Sequence, residues 1–153
     1  MKNVFKPQKS ILWIVLVILT NVVISCTKSE PEPPLADQVV GNYTSTSYTI
    51  GTVRIIFPAT NASGITATAR VTSTKVSEEV ASFTFVFTQT KSGIQTSSNS
   101  KLENLTLKKA SSGEIEGYNG AAKVAIFKDN ELTLIFTDPD PSKVLTLYSK
   151  KDA

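Results

Sequence analysis

The chain has 153 residues, 16 basic against 13 acidic, with a formal net charge of +3 and no histidine. Its hydrophobic content of 41% and mean hydropathy of +0.00 allow a packed core, which excludes whole-chain disorder and collagen-like composition. Lys2, Lys6 and Lys9 sit at the start; apart from them the charges balance, so the footprint of a nucleic-acid binder is missing.

The first predicted element is a leader. Met1–Ser10 carries those three lysines and no acid, an unbroken apolar run follows from Ile11 to Leu19, and Val22, Val23, Ile24 and Ser25 come after Thr20 and Asn21. A basic segment, a short apolar segment and small residues before a cut have the organisation of a secretory signal, read here as residues 1–25. The apolar stretch is shorter than the roughly 20 residues that span a bilayer as a helix. Cys26 is the sole cysteine, which rules out an intramolecular disulfide and a cysteine metal cluster. Val23-Ile24-Ser25-Cys26 resembles the lipobox of bacterial lipoproteins, in which an aliphatic, a variable and a small residue precede the cysteine. That resemblance implies a diacylglycerol thioether on Cys26, cleavage after Ser25, and membrane attachment through acyl chains such as palmitate. More than one chain is what stable anchoring needs.

Residues 26–35 then read as the lipidated cysteine and a tether. TKSEPEPP, with Pro31, Pro33 and Pro34, favours an extended spacer whose eight residues would reach ~25 Å. Glu30 and Glu32 solvate it; they are also weakly similar to the acid-rich surface-sorting signals of Bacteroidota lipoproteins. Thr27 is not Asp, so the inner-membrane retention pattern of proteobacterial lipoproteins is absent. The expected location is the cell envelope, lipid-anchored, at the outer membrane.

From residue 36 to 153 the periodicity is two, and no sustained helical stripe occurs. Leu35–Val40 is expected to form a short turn or 3₁₀ piece. Strands are predicted where Val53, Ile55 and Phe57, then Ile65, Ala67, Ala69 and Val71, then Ala81, Phe83, Phe85 and Phe87 alternate with other residues. Leu132, Leu134 and Phe136, and later Leu145 and Leu147, repeat the pattern. Asn119-Gly120 between GEIEGY and AAKVAIF reads as a type I′ hairpin turn, and Asp129-Asn130 plays the same part before ELTLIFT. Ser92-Gly93, the SSNS stretch at 97–100, Ser112-Gly113 and DPDP at 138–141 are read as the remaining punctuation. The fold class is therefore all-β, an antiparallel up-and-down meander of eight or nine strands, closed as a barrel or, as second choice, open as a β-sandwich.

VVGNYTSTSYT, with Gly41-Asn42-Tyr43, resembles the opening of a lipocalin-like (calycin) domain, and VAIFKDNELTLIFT followed by KVLTLYSKK is similar to that family's final strands. The resemblance spans residues 38–150 and implies a lipocalin-like β-barrel of Bacteroidota lipoprotein type. Tyr43 stands where the family has Trp, and the arginine that packs on it from the last strand has no match in Arg54 or Arg70, the chain's only arginines.

Catalytic patterns are thin. Glu114 and Glu116 share a strand face but are flanked by Gly113 and Gly117, which reads as a solvated edge rather than an acid/base pair. Asp138 and Asp140 offer two carboxylates where calcium wants six or more ligands, so no metal site is expected. No serine sits in a Gly-x-Ser-x-Gly elbow, and the glycines form no phosphate cradle before a helix. Asn42, Asn61 and Asn104 begin Asn-x-Ser/Thr triplets that chance explains in a Ser/Thr-rich chain. Neither catalysis nor a cofactor is expected.

The Phe83, Phe85 and Phe87 stripe reads first as core. Facing it, Ile65, Ala67, Ala69 and Val71 include small residues that leave room, so these seven are the candidate lining for a small apolar ligand. The expected function is a non-enzymatic, lipid-anchored protein whose barrel binds such a ligand. The alternative is a filled module acting by protein or glycan contact through Tyr43, Tyr48, Arg54 and Tyr148.

Overall fold

A computed structural model describes residues 31–153, and the leader and Cys26 lie outside the described residues. Pro33–Ala153 forms one compact unit. It opens with a single helical turn, α1 (Leu35–Val39), where a short turn or 3₁₀ piece was expected. Ten strands follow. They are β1 (Gly41–Ile50), β2 (Val53–Ile56), β3 (Ala59–Thr60), β4 (Thr66–Ser77), β5 (Val80–Lys91), β6 (Ile94–Lys109), β7 (Ile115–Asn119), β8 (Ala122–Lys128), β9 (Glu131–Phe136) and β10 (Leu145–Lys151), with a 3₁₀ turn at Pro141–Lys143.

Every pairing is antiparallel. β4 through β10 run as a meander, and β1 pairs with β10 on one edge and with β4 on the other. Eight strands thus close on themselves as an up-and-down barrel of lipocalin-like architecture, and the open sandwich is set aside. β2 and β3 lie between β1 and β4 as an insert, with a cis Phe57–Pro58 peptide between them.

Alternation decides which face is inside. On β4, Ala69, Val71 and Ser73 are buried while Thr68, Arg70, Thr72 and Thr74 are exposed. Their partners on β5 are Phe87, Phe85 and Phe83, so the aromatic stripe and the alanine stripe share the interior. Ser92-Gly93 and Asp129-Asn130 both have positive φ at both residues, as a type I′ turn requires. At Asn119-Gly120 the expected turn is displaced by one residue. The loop is Gly120-Ala121, Asn119 pairs with Ala122, and Gly120 alone is at positive φ.

The largest departure from expectation is β6. The SSNS stretch, taken as a turn, lies inside a 16-residue strand. Ile94–Lys101 is exposed on both faces, so no apolar alternation betrays it. It pairs with β5 throughout, but β7 reaches only Thr106–Lys109. The β5–β6 hairpin therefore rises past the β7–β8 hairpin and forms one side of an open mouth.

At the opposite end the barrel is filled. Ala36 and Val39 of α1 are buried, and Tyr43, Phe83, Leu105, Leu107, Phe127, Leu132 and Leu134 pack in a continuous core. Rings stack through it, with Phe127 centred 5.4 Å from Phe83 and 6.3 Å from Tyr43. Gly117 is required here for space, since a Cβ would lie 2.9 Å from the Cβ of Ala125.

Candidate functional site

One irregularity in β1 creates the site. Tyr43 and Ser45 face inward opposite Lys151 and Ser149, and then Thr46 is an extra residue against β10. The bulge reverses the parity of the strand, so Tyr48 and Ile50 face inward opposite Leu147 and Leu145. Without it, Ser47 and Thr49 would line the interior. Ser47 instead lies outward, where Arg54 of β2 donates to its Oγ from Nη2 at 3.0 Å and rests 5.5 Å from the Tyr148 ring centre. The bulged Thr46 also accepts the Phe57 backbone N–H at 2.9 Å, which fixes Phe57 at the edge of the mouth.

The mouth chamber that results has a volume of ≈ 290 Å³. Its walls are Tyr48 and Ile50 of β1, Phe57 between β2 and β3, Phe85 and Phe87 of β5, Ser98 of β6, and Leu145 and Leu147 of β10. Phe57 packs 5.2 Å from Tyr48 and edge-on to Phe87 at 6.3 Å, and Phe85 packs 5.9 Å from Phe136. The polar atoms available are the hydroxyls of Tyr48 and Ser98 and the backbone. The chamber suits van der Waals capture of an apolar group.

Of the seven lining residues expected from the sequence, Phe85 and Phe87 form the chamber. Phe83 and Val71 are in the filled core, and Ala69 borders a separate opening near Phe57. Ala67 pairs with Gln89, and Ile65 precedes β4; neither is a chamber wall. Tyr48, Ile50, Phe57, Ser98, Leu145 and Leu147 were missed as lining. The alternation of Leu145 and Leu147 was available as a signal; the bulge that turns Tyr48 inward was not. Among the expected surface contacts, Tyr43 is buried, with its hydroxyl donating to the Val39 carbonyl at 2.6 Å. Burial pushes the Tyr43 phenol up to about 12. Lys151 of the last strand lies 6.0 Å from the Tyr43 ring centre and donates to the Gln38 carbonyl.

Glu116 lies between Lys123 and Tyr118, whose hydrogen bonds hold it below the ordinary carboxylate range. Asp138 and Asp140 accept backbone N–H groups of Asp140 and Ser142 and so shape the 3₁₀ turn. No group of three or more metal-ligating side chains occurs among the described residues, and no helix among them is long and apolar enough to cross a membrane. No family model, curated protein or solved structure matches the chain. The class of protein is set by the fold and chamber alone: a plugged eight-stranded barrel with an apolar mouth.

Proposed function

We propose that the protein is a lipid-anchored envelope protein, attached through Cys26, whose barrel holds a small apolar molecule and carries out no chemistry on it. The observation that supports this reading is the mouth chamber, seven of whose eight walls are aromatic or aliphatic. At ≈ 290 Å³ it stands at the lower end of ligand cavities, which run from about 300 to 1,000 Å³, so the occupant is small.

The test uses residues 33–153 and the neutral probe N-phenyl-1-naphthylamine. Probe fluorescence should rise saturably with protein, and Ser98→Phe, which fills the chamber from an exposed strand, should abolish the rise while leaving the unfolding midpoint in place. Binding untouched by Ser98→Phe, or no binding to any apolar probe, overturns the chamber as the site and favours contact through the outer surface. Anchoring is tested separately in the full chain. Cys26→Ser should leave the protein uncleaved or release it from membranes, and a cleaved mutant that still sediments with membranes would refute the lipid attachment.

A further inference from the structure

Phe57 walls two cavities, the mouth chamber on one side and, on the other, an opening of ≈ 430 Å³ where β1 and β4 diverge. The opening exists because β1 and β4 part company. They pair from Gly41–Ser73 to Thr44–Arg70, after which β1 takes β2 as its neighbour and β4 takes β3. The inner lip is formed by Ser45 and Ala69, two small residues that face the interior, and the outer lip by Thr44, Thr46, Thr68 and Arg70.

The two cavities differ in chemistry. The mouth is apolar, whereas the side opening joins the apolar Ile56, Phe57, Pro58 and Ala69 to four hydroxyls and a cation. Thr44 and Thr46 already donate, to the Asp152 carboxylate at 2.7 Å and the Tyr148 carbonyl at 3.2 Å. The Asp152 carboxylate is thereby engaged by a hydroxyl, not by Arg70. Arg70 and Thr68 have no side-chain partner among the described residues, which leaves a guanidinium fork and a hydroxyl free at the rim. Such a fork matches an oxyanion in geometry as well as charge. Phe57 is held on its inner side by ring contacts with Tyr48 and Phe87, which an alkyl chain passing between the cavities can replace with contacts of the same kind.

We infer that the barrel takes an anionic amphiphile, with its alkyl chain in the mouth chamber, its oxyanion head on Arg70 at the side opening, and Phe57 setting the chain length between them. This rests on the apolar-binding reading above and adds to it a head-group site, a polarity along the ligand and a residue that selects by length.

The experiment uses the full-length protein in its own membranes and two photoreactive dodecanoates, one with a diazirine at the chain end and one with it beside the carboxylate. The chain-end probe should label peptides carrying Phe85, Phe87 or Leu145, and the head probe the peptide carrying Thr68 and Arg70. Dodecanoate or dodecyl phosphate should compete, and whichever does so at lower concentration identifies the head as carboxylate or phosphate. Dodecyltrimethylammonium should compete about tenfold less well, and Arg70→Gln should cost the anions a similar factor while leaving dodecanol unaffected. Arg70 is exposed on the outer face, so its replacement spares the core. Phe57→Ala should move the preference from dodecanoate toward palmitate. Saturable chain-end labelling that ignores Arg70→Gln and head charge would overturn this inference and leave the apolar-binding reading standing. Absence of saturable labelling with either probe would overturn both.

Discussion

At the plugged end of the barrel Phe83, Leu105, Leu107, Leu132 and Leu134 are at most 1% exposed, whereas at the mouth Ile50 is 41% exposed and Phe85 and Phe87 are only half-buried. The same eight strands supply both interiors. What differs is what lies opposite each large side chain. Phe83 meets Phe127 across the interior, with α1 below, so large groups interlock. Phe87 pairs with Ala69 on one side and Ser98 on the other, so its neighbours are too small to fill the space. A barrel of fixed strand number can therefore be a solid core at one end and a container at the other, by side-chain volume alone.

The sharpest way to break this comparison is to truncate one phenylalanine at each end. Phe83→Ala should cost about 3–5 kcal/mol in urea unfolding, as a fully buried ring leaves a cavity. Phe87→Ala should cost less than half as much, because its surroundings are already open; equal losses would mean that the mouth is as tightly packed as the plug. Next in size is Gly117→Ala, which forces a methyl to within 2.9 Å of Ala125 and should cost about 1–3 kcal/mol by the same assay.

Tyr43→Phe probes the plug more gently. It removes the hydrogen bond to the Val39 carbonyl and should destabilise by about 1 kcal/mol at neutral pH. It also has a pH signature. The folded-state value is raised from 10.0 to about 12, so the phenol's contribution is fully present below pH 10 and is lost as pH climbs through that interval. Stability of the wild type should fall there more steeply than that of Tyr43→Phe, which equilibrium unfolding at successive pH values would show; parallel curves would mean that the phenol titrates alike in both states. The smallest effect is expected for Ser98→Phe at the mouth, within about 0.5 kcal/mol, because the side chain lies on an exposed strand beside free volume.

The inward face of β4 and β5 was legible in the sequence, and the shape of the mouth was not. Strict alternation along β4 and β5 gave the interior face of Ala69, Val71, Phe83, Phe85 and Phe87, because a period of two leaves no other choice once one face is buried. Type I′ chemistry was readable at Asp129-Asn130, where both residues tolerate positive φ. The mouth depends on features that carry no such mark. Thr46 is a bulge with neither glycine nor proline to announce it, so Tyr48 was assigned outward when it faces in. Between β7 and β8 the turn falls one position later than Asn119-Gly120, next to a bulge after Gly117 that no glycine or proline pattern announces. Ile94–Lys101 is wet on both faces, and a strand that buries nothing leaves no hydrophobic period to read.

The seam between β1 and β10 has a consequence for the order of assembly. Tyr43 pairs with Lys151 and Thr44 bonds Asp152 across 108 positions, so the loop that closes the barrel is nearly the whole domain. Every other ladder of the meander joins neighbours in sequence and can zip locally, while this one must wait for two distant segments to meet. Deleting Leu145–Lys151 would therefore do more than remove one wall. It would leave β1 and β9 as raw edges facing each other across a gap, and the chain would search for strand partners outside itself.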